Sequence, residues 1–244
     1  MEAAAENNVE VLVLDRPNPQ DGFIDGPILK EQWKSFIGMH EIPVIYGLTI
    51  GEYGKMVNGE KWLKNGVQAK YTLIPMQNYH KKQRFGVSDK PSPNLPNDKA
   101  INLYPSLCFF EGTQVSVGRG TDLPFQIYGS PWTKNLPYQF TPKPNFGAKD
   151  PFLNGQLCYG ENLSGKNLEL RELNISWLLN AYKNYKNPAQ DFFLKSLFFD
   201  KLAGSDELRK QIIAGKSASE IKNSWKKDLE KFQKIRAKYV MYED

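Results

Sequence analysis

Residues 9–19 read VEVLVLDRPNP, and they indicate the architecture of the chain. The first seven are nearly all apolar and rich in valine, as in a strand buried on both faces of a parallel sheet. Two prolines then fix a turn at the strand's end. Because ligands of open α/β sheets bind beyond the carboxyl ends of strands, we expect Asp15, Arg16 and Asn18 to bind a hydroxyl-rich or carboxylate ligand. An Asp15–Arg16 pair that pins the turn is the structural alternative.

Further elements of an α/β chain follow this stretch. The run Ala69–Ile74 predicts a further strand, and Leu107–Phe110 predicts another buried strand. Thr49 with Glu52 predicts a helix that begins with a capping box. A parallel strand needs a neighbour supplied by an earlier crossover. The sequence therefore predicts that the chain opens inside a sheet.

The second half of the chain has a different pattern. The proline-rich segment Pro131–Pro151 predicts a boundary, with one domain over residues 1–132 and another over 133–244. Beyond it, helical spacing predicts helices over Leu173–Tyr182 and Asp191–Leu202, and a last one capped by Ser217. The predicted fold class is α/β, with a helix-rich second domain.

Composition and charge exclude several classes of protein. The chain has 244 residues, 40% hydrophobic and 24% charged, which is enough for a real core. No stretch approaches the roughly 20 apolar residues of a membrane span. The net charge of +5 matches that of Lys216–Lys238 alone, eight Lys and Arg against three Asp and Glu. One basic helix surface does not predict nucleic-acid binding.

The motifs point to no cofactor and no metal. No GxGxxG follows the first strand, and neither GxxxxGK[ST] nor GxSxG occurs. Two histidines and the distant Cys108 and Cys158 do not make a zinc site. Whether the two cysteines form a disulfide stays open at this point. The first residues lack the basic and apolar regions of a signal peptide.

A second group of polar residues follows the predicted strand at 107–110. Glu111 comes directly after it, where a partly desolvated carboxylate suits a general acid. Arg119 is flanked by two glycines, which let the backbone approach a ligand while the guanidinium holds a carboxylate. Thr113, Ser116 and Thr121 add hydroxyl groups around them. A structural role is the alternative for each residue.

Three more features complete the candidate site. Glu52 is a second candidate acid, although its capping role already explains it. Asn94 lies between prolines and is a candidate fixed hydrogen-bond donor. We expect aromatic side chains to stack on sugar rings or else to belong to the core, namely Tyr104, Tyr128 and Trp132. Carboxylates, an arginine, amides and aromatics suit a saccharide better than a phosphate.

Several long motifs resemble one bacterial family. They are VLDRPNP at 13–19, YGLTIGE at 46–52, PSPNLPN at 91–97, LCFFEGTQVSVGRGTDLPFQIYGSPW at 107–132 and a C-terminal pattern that starts FDKLAGSDELRKQ at 199. The chain resembles the exo-β-N-acetylmuramidases of peptidoglycan recycling, formerly a domain of unknown function, especially those of Bacteroidetes. The resemblance runs from Val9 to Tyr242.

The resemblance carries expectations about fold and function. It implies a partial Rossmann-like N-terminal domain with a mostly parallel sheet, a smaller α/β C-terminal domain and a cleft between them. It implies a periplasmic or secreted glycosidase that releases terminal non-reducing N-acetylmuramic acid from disaccharides with N-acetylglucosamine. Arg119 would hold the lactyl carboxylate and Glu111 would be an acid/base or orienting group. Asn18 and Asn94 would bind hydroxyl or N-acetyl groups.

One departure from the family leaves the activity of this chain open. Family members are longer at the N-terminus, where a Glu-His-Gly motif is expected to carry the main catalytic carboxylate, and no such motif occurs here. We therefore expect an incomplete glycosidase, since glycosidases usually need two carboxyl groups. The alternative is a muropeptide- or glycan-binding module without catalysis. A third hypothesis is an interaction protein that uses the basic C-terminal helix.

Overall fold

The computed structural model describes residues 1–83, 86–166 and 169–243. Within these ranges the strands are β1 (Val11–Leu14), β2 (Asp25–Ile28), β3 (Pro43–Ile45), β4 (Tyr71–Ile74), β5 (Ile127–Ser130), β6 (Tyr138–Phe140) and β7 (Cys158–Asn162). The helices are α1 (Glu2–Glu6), α2 (Ile50–Gly59), α3 (Asp98–Leu107), α4 (Ser176–Asn184), α5 (Phe198–Ala203), α6 (Glu207–Ile213) and α7 (Ala218–Arg236). Short 3-10 helices cover Glu31–Trp33, Lys64–Gly66 and Cys108–Gly112.

The strands form three small sheets, so the predicted α/β class is confirmed. β1 pairs with β4 in parallel, Val11 opposite Tyr71. β2 and β3 pair antiparallel, and β7 lies between β5 and β6 in a three-stranded antiparallel sheet. Among the described strands the parallel pairing is limited to β1 and β4. The mostly parallel, Rossmann-like sheet that the resemblance implies is therefore not confirmed.

Strand β1 lies at the surface on one side. The side chains of Leu12 and Leu14 are 57% and 67% exposed, whereas Val11 and Val13 are half-buried. The prediction of a strand buried on both faces is wrong for this reason. One face of β1 has packing partners while the other meets solvent.

The run Leu107–Phe110 is helical, which contradicts the predicted strand. The Oδ1 atom of Asn97 accepts a hydrogen bond from the N–H of Ala100 at 2.9 Å and caps α3, which continues into the 3-10 helix. The prediction of burial is right, because Phe109 and Phe110 have no exposed surface. A short apolar run does not separate a buried strand from a buried helix.

The two predicted capping boxes are present. Thr49 and Glu52 cap α2, and Ser217 and Glu220 cap α7, each pair with both reciprocal hydrogen bonds. Helix α7 packs against β2 with its apolar stripe, in which Ile221, Trp225 and Phe232 are buried. Its exposed face carries the lysines, as the charge pattern predicts.

The region over Asp191–Leu202 is less helical than predicted. Leu197 has a left-handed φ of 56°, and helix α5 begins only after it. Phe193 instead forms an isolated bridge with Thr113. The predicted helix over Leu173–Tyr182 is present as α4, shifted by a few residues.

One main hydrophobic core joins the two halves of the chain. It contains Ile45 from β3, Phe109 and Phe110 after α3, and Trp225 from α7. This core crosses the predicted boundary at residue 132, which stays a prediction. No helix in the described ranges has the length and apolar character needed to cross a bilayer.

Candidate functional site

Four of the predicted site residues line one cavity. Glu111, Thr113, Ser116 and Arg119 surround a space of about 180 Å³. We call it the Arg119 cavity. The rest of its wall is apolar, from Phe110, Val115, Val117, Phe152 and Leu194.

Glu111 and Arg119 are held in a partly exposed ion pair at this cavity. The Nε and Nη2 atoms of Arg119 donate to Oε1 of Glu111 at 3.1 and 2.8 Å. The guanidinium also lies 4.9 Å from the centre of the Phe125 ring. The other carboxylate oxygen of Glu111, Oε2, receives no hydrogen bond from the described residues. The pair thus offers a free carboxylate oxygen and a cation to a ligand.

The two glycines beside Arg119 are required by the local backbone. Gly118 and Gly120 both have φ near +80°, a conformation that side-chain-bearing residues rarely adopt. A Cβ atom on Gly118 would lie 2.8 Å from the carbonyl oxygen of Leu123, and one on Gly120 2.6 Å from that of Lys143. These close approaches fix the turn that carries the guanidinium.

Thr113 and Ser116 shape the wall of the cavity. Thr113 Oγ1 donates to the carbonyl of Phe110 at 2.7 Å, and Ser116 Oγ accepts from the N–H of Gly118 at 3.2 Å. Both residues are buried. Their hydroxyl groups stabilise the turns on either side of the ion pair, and substrate binding by them stays a prediction.

Asn94 and Thr121 lie outside the lining of the cavity and hold nearby loops. Asn94 Nδ2 donates to the carbonyl of Gly147 at 2.8 Å, and Thr121 Oγ1 to that of Gly118 at 2.7 Å. The N–H of Lys143 in the same loop as Gly147 donates to Gly120 at 2.9 Å. The two side chains thus support the loops around Arg119.

A separate group of predicted residues lies where β1 ends. Asp15 accepts hydrogen bonds from the N–H of Gly51 at 2.9 Å and from the hydroxyl groups of Thr49 and Tyr242, both at 2.7 Å. The side chain of Asn18 donates to the carbonyl of Leu48 at 2.8 Å. Both residues join the turn after β1 to the start of α2.

Arg16 is exposed at this turn, and its backbone N–H donates to Oδ1 of Asp15 at 3.0 Å. The described contacts include no ion pair between the two side chains. The alternative of an internal Asp15–Arg16 pair is therefore not seen, and ligand binding by Arg16 stays a prediction.

Glu52 is completely buried, which argues against a catalytic role. Its Oε2 atom accepts from the ammonium of Lys81 at 2.5 Å and from the N–H of Thr49 at 3.0 Å. Its Oε1 atom accepts from the N–H of Met241 at 2.7 Å. With no exposed surface, Glu52 does not reach a ligand, and the structural role that its capping box predicts is favoured.

The partners of Glu52 were not predictable from the sequence. Lys81 is fully buried between Glu52 and Asp21, and its ammonium lies 3.0 Å from both carboxylate oxygens of Asp21. We call Asp21, Glu52 and Lys81 the buried triad. Burial raises the pKa of Asp21, and the Lys81 charge opposes that shift. A lone lysine in a polar segment carries no local signal of burial, so the sequence could not show the triad.

The aromatic and sulfur side chains divide between surface and core. Tyr104 is 37% exposed, so stacking on a ligand stays a prediction for it. Tyr128 is buried and stacks on Phe110 at 4.8 Å, so of the two alternatives the core role holds for Tyr128. Cys108 and Cys158 are free and buried, and burial raises the pKa of each thiol to about 12. They form no disulfide.

Trp132 is partly buried and meets Tyr185 edge-on at 6.0 Å, beside the core of the antiparallel sheet. These contacts do not test whether Trp132 stacks on a sugar ring, so that role stays a prediction.

No group of three or more metal-ligating side chains occurs in the described residues.

The chain is a mixed α/β protein whose Arg119 cavity presents a guanidinium and a carboxylate in a largely apolar wall. Two family models match nearly all of the sequence: "Exo-beta-N-acetylmuramidase NamZ, N-terminal" over residues 1–99 and "Exo-beta-N-acetylmuramidase NamZ, C-terminal" over residues 102–242. The chain therefore belongs to the NamZ exo-β-N-acetylmuramidase family. The resemblance predicted from its motifs is confirmed.

Individual relatives agree with this assignment. The chain is 36% identical to peptidoglycan β-N-acetylmuramidase NamZ of Bacillus subtilis strain 168, and the match covers 99% of this chain and 62% of that protein. The chain thus spans less than two thirds of the length of this curated relative. Two crystal structures of DUF1343 family proteins from Bacteroides fragilis are similar over 100% of this chain and 69% of theirs. Their TM-scores are 0.94 and 0.77, at 47% and 25% identity.

Proposed function

We propose that this chain is a glycosidase that releases terminal non-reducing N-acetylmuramic acid from peptidoglycan fragments. Membership of the family supports the class of reaction, and the Bacillus relative is named for the same activity. The proposed substrate is N-acetylmuramic acid linked to N-acetylglucosamine. Because this is a cell-wall fragment, the proposed location is the periplasm or the outside of the cell.

The observation that carries the proposal is the guanidinium of Arg119 in a small, largely apolar cavity. N-acetylmuramic acid differs from N-acetylglucosamine by a lactyl ether with a carboxylate, so a protein that selects it needs a cation there. An arginine fork binds a carboxylate through two parallel hydrogen bonds. The bonds to Glu111 show that Arg119 already holds a carboxylate in this position.

Glu111 is the candidate acid/base or orienting group at the cavity. It lines the same cavity as Arg119, and its side chain is 25% exposed. Glu111 is also the one carboxylate among the residues that line this cavity. Glycosidases generally use two, and a glycan-binding module that does not cleave the bond is the competing hypothesis.

Two assays on the same protein separate these hypotheses. Release of N-acetylmuramic acid from a chromogenic muramide measures catalysis, and calorimetric titration with the free sugar measures binding. The proposal expects both release and binding. Binding without release would support the module, and the absence of both would contradict any muramic acid site in this chain.

The Arg119→Ala variant tests the role of the guanidinium. We expect KM to rise about tenfold or more for muramic substrates and to stay near its original value for glucosamine substrates, because a charge-assisted hydrogen bond contributes about 1.5–3 kcal/mol. Steady-state kinetics on matched chromogenic substrates measures both values. Arg119→Lys is the matched control, since it keeps the charge and loses the fork. An equal rise in KM for both kinds of substrate would contradict the proposal.

A further inference from the structure

The Arg119 cavity has an apolar wall that recognition of a carboxylate does not explain. Glu111 and Arg119 supply its charged groups, and Thr113 and Ser116 supply its hydroxyl groups. A site for a carboxylate alone gains nothing from apolar surface, whereas a ligand that also carries an apolar group does. The other lining residues are all apolar, namely Phe110, Val115, Val117, Phe152 and Leu194.

Phe152 is the exposed member of this wall. It is 46% exposed, whereas Phe110, Val115 and Val117 are buried and Leu194 is half-buried. Burial of apolar surface is favourable in proportion to the area removed from water. Phe152 therefore has the most apolar surface left for a ligand to cover.

The turn that carries Phe152 packs against the turn that carries Arg119. Pro151 lies so close to Gly120 that a Cβ atom on the glycine would be 2.7 Å from both Cβ and Cγ of the proline. Phe152 and Arg119 are the chain neighbours of these two residues, and both line the cavity. The contact between Pro151 and Gly120 thus brings the two side chains to one site.

Leu153 anchors the turn of Phe152 in the protein interior. Its φ of 61° is left-handed, which a residue with a side chain keeps only where the surrounding structure enforces it. Its carbonyl accepts a hydrogen bond from the N–H of Gln156 at 3.0 Å. Because Leu153 is fixed, Phe152 is held beside the cavity before a ligand arrives, which lowers the entropy cost of binding. The Leu153 side chain is buried in a cluster with Ile127, Phe140 and Cys158.

The volume of the cavity limits what it holds. About 180 Å³ is below the roughly 300–1,000 Å³ of sites that enclose a whole small ligand. The cavity therefore fits one substituent of a ligand better than a sugar ring with all its groups. The substituent that distinguishes N-acetylmuramic acid is the lactyl arm, in which one carbon atom carries both a carboxylate and a methyl group.

Both groups of the lactyl arm have a counterpart in the cavity. The carboxylate matches the guanidinium of Arg119, which binds carboxylates through charge-assisted hydrogen bonds. The methyl group matches the apolar wall. Since the two groups share one carbon atom, a site for both has to combine a cation and apolar surface in a small space, as this cavity does.

We infer that the apolar wall of the Arg119 cavity recognises the methyl group of the lactyl arm, and that Phe152 is a specificity-determining residue for it. This inference rests on the proposed function, in which Arg119 holds the carboxylate of the same arm. It adds that the arm enters the cavity while the sugar ring stays outside, and that an arm without the methyl group binds less tightly.

The test compares two ligands that differ by this methyl group. N-acetylmuramic acid and 3-O-carboxymethyl-N-acetylglucosamine, which keeps the ether and the carboxylate, are titrated calorimetrically into the full chain. We expect N-acetylmuramic acid to bind about fourfold more tightly or better, the factor expected for burial of one such carbon group. Equal affinities would overturn the inference.

The Phe152→Ala variant tests the residue. We expect the ratio of the two affinities to fall below about twofold, because the variant removes apolar surface that only the lactyl methyl group covers. Phe146→Ala is the matched control, since Phe146 belongs to the same connection between β6 and β7, is 92% exposed and does not line the cavity. Phe146→Ala is expected to leave the ratio unchanged.

A second measurement needs no variant. Saturation transferred from the protein to bound N-acetylmuramic acid reports by NMR which ligand protons lie against the protein. We expect the lactyl methyl protons to receive more saturation than the ring protons, which stay outside the cavity. Equal or lower saturation of the lactyl methyl group would overturn the inference.

The outcomes separate this inference from the proposed function. A ratio that falls in Phe152→Ala and persists in Phe146→Ala supports the role of Phe152. A ratio that Phe152→Ala leaves unchanged, including an equal loss for both ligands, overturns that role while carboxylate recognition by Arg119 stands. If the unaltered chain binds neither ligand, the proposed function fails and this inference fails with it.

Discussion

Lys81 stands between two carboxylates in the interior of the protein. Its ammonium lies 2.5 Å from Glu52 and 3.0 Å from Asp21, and its side chain has no exposed surface. Asp21 also accepts a hydrogen bond from the hydroxyl of Tyr79 at 2.7 Å. Removing one partner of a buried ion pair leaves an uncompensated buried charge. The free-energy penalty of that charge is larger than the net stabilisation that the intact pair contributes.

The Lys81→Met variant is therefore expected to lower the free energy of unfolding by about 3–5 kcal/mol. Urea denaturation followed by circular dichroism measures it. Lys226→Met, at an exposed lysine of α7, is the control and is expected to change stability by less than about 0.5 kcal/mol. A loss below about 1 kcal/mol for Lys81→Met would contradict a structural role for the triad.

At the level of single residues, some members of the site can be predicted from the sequence and others cannot. Glu111 and Arg119 are only eight residues apart, and glycines beside an arginine carry a local signal, so their joint placement could be predicted. Lys81 and Tyr242 carry no such signal. Their partners Glu52 and Asp15 are 29 and 227 residues away, and only the folded chain brings them together.

Secondary-structure elements were predictable where their signals are local. The capping boxes of α2 and α7 need only a Thr or Ser and a Glu three residues later, and both formed. The run at 107–110 failed because a short apolar segment has no distinctive period. The helix predicted to begin at Asp191 failed because Phe193 bridges to Thr113 and Leu197 adopts a left-handed φ.

The Glu220 carboxylate links α7 to the pH dependence of stability. Its hydrogen bonds with Ser217 and the charge of Lys216 lower the pKa of Glu220 to about 2. A folded-state pKa below the unfolded value means that the unfolded chain binds more protons between about pH 2 and 4.5, so stability rises with pH there.

The Glu220→Gln variant is expected to be less stable than the original chain above about pH 4.5. The difference is expected to shrink as the pH falls towards 2, because the Glu220 carboxylate becomes protonated there and loses its charge. Thermal melts from pH 2 to 7 measure the effect. Glu230→Gln, on an exposed position of the same helix, is the control. A difference that stays constant over this range would contradict the linkage.

At the scale of the whole molecule, the last residues return to the first strand. Arg236 donates to the carbonyl of Gly47 at 2.9 and 2.7 Å, and Tyr242 reaches Asp15. The N–H of Met241 donates to Glu52. Composition and local patterns do not predict contacts of this sequence separation, because they depend on the path of the entire chain.

We propose that Arg119 recognises the carboxylate of N-acetylmuramic acid. The direct measurement is the NMR resonance of the Arg119 Nε–H group, assigned by its loss in Arg119→Lys, during titration with that sugar and separately with N-acetylglucosamine. We expect a saturable shift with N-acetylmuramic acid and none with N-acetylglucosamine at the same concentrations. Equal shifts with both sugars, or no shift with either, would contradict it.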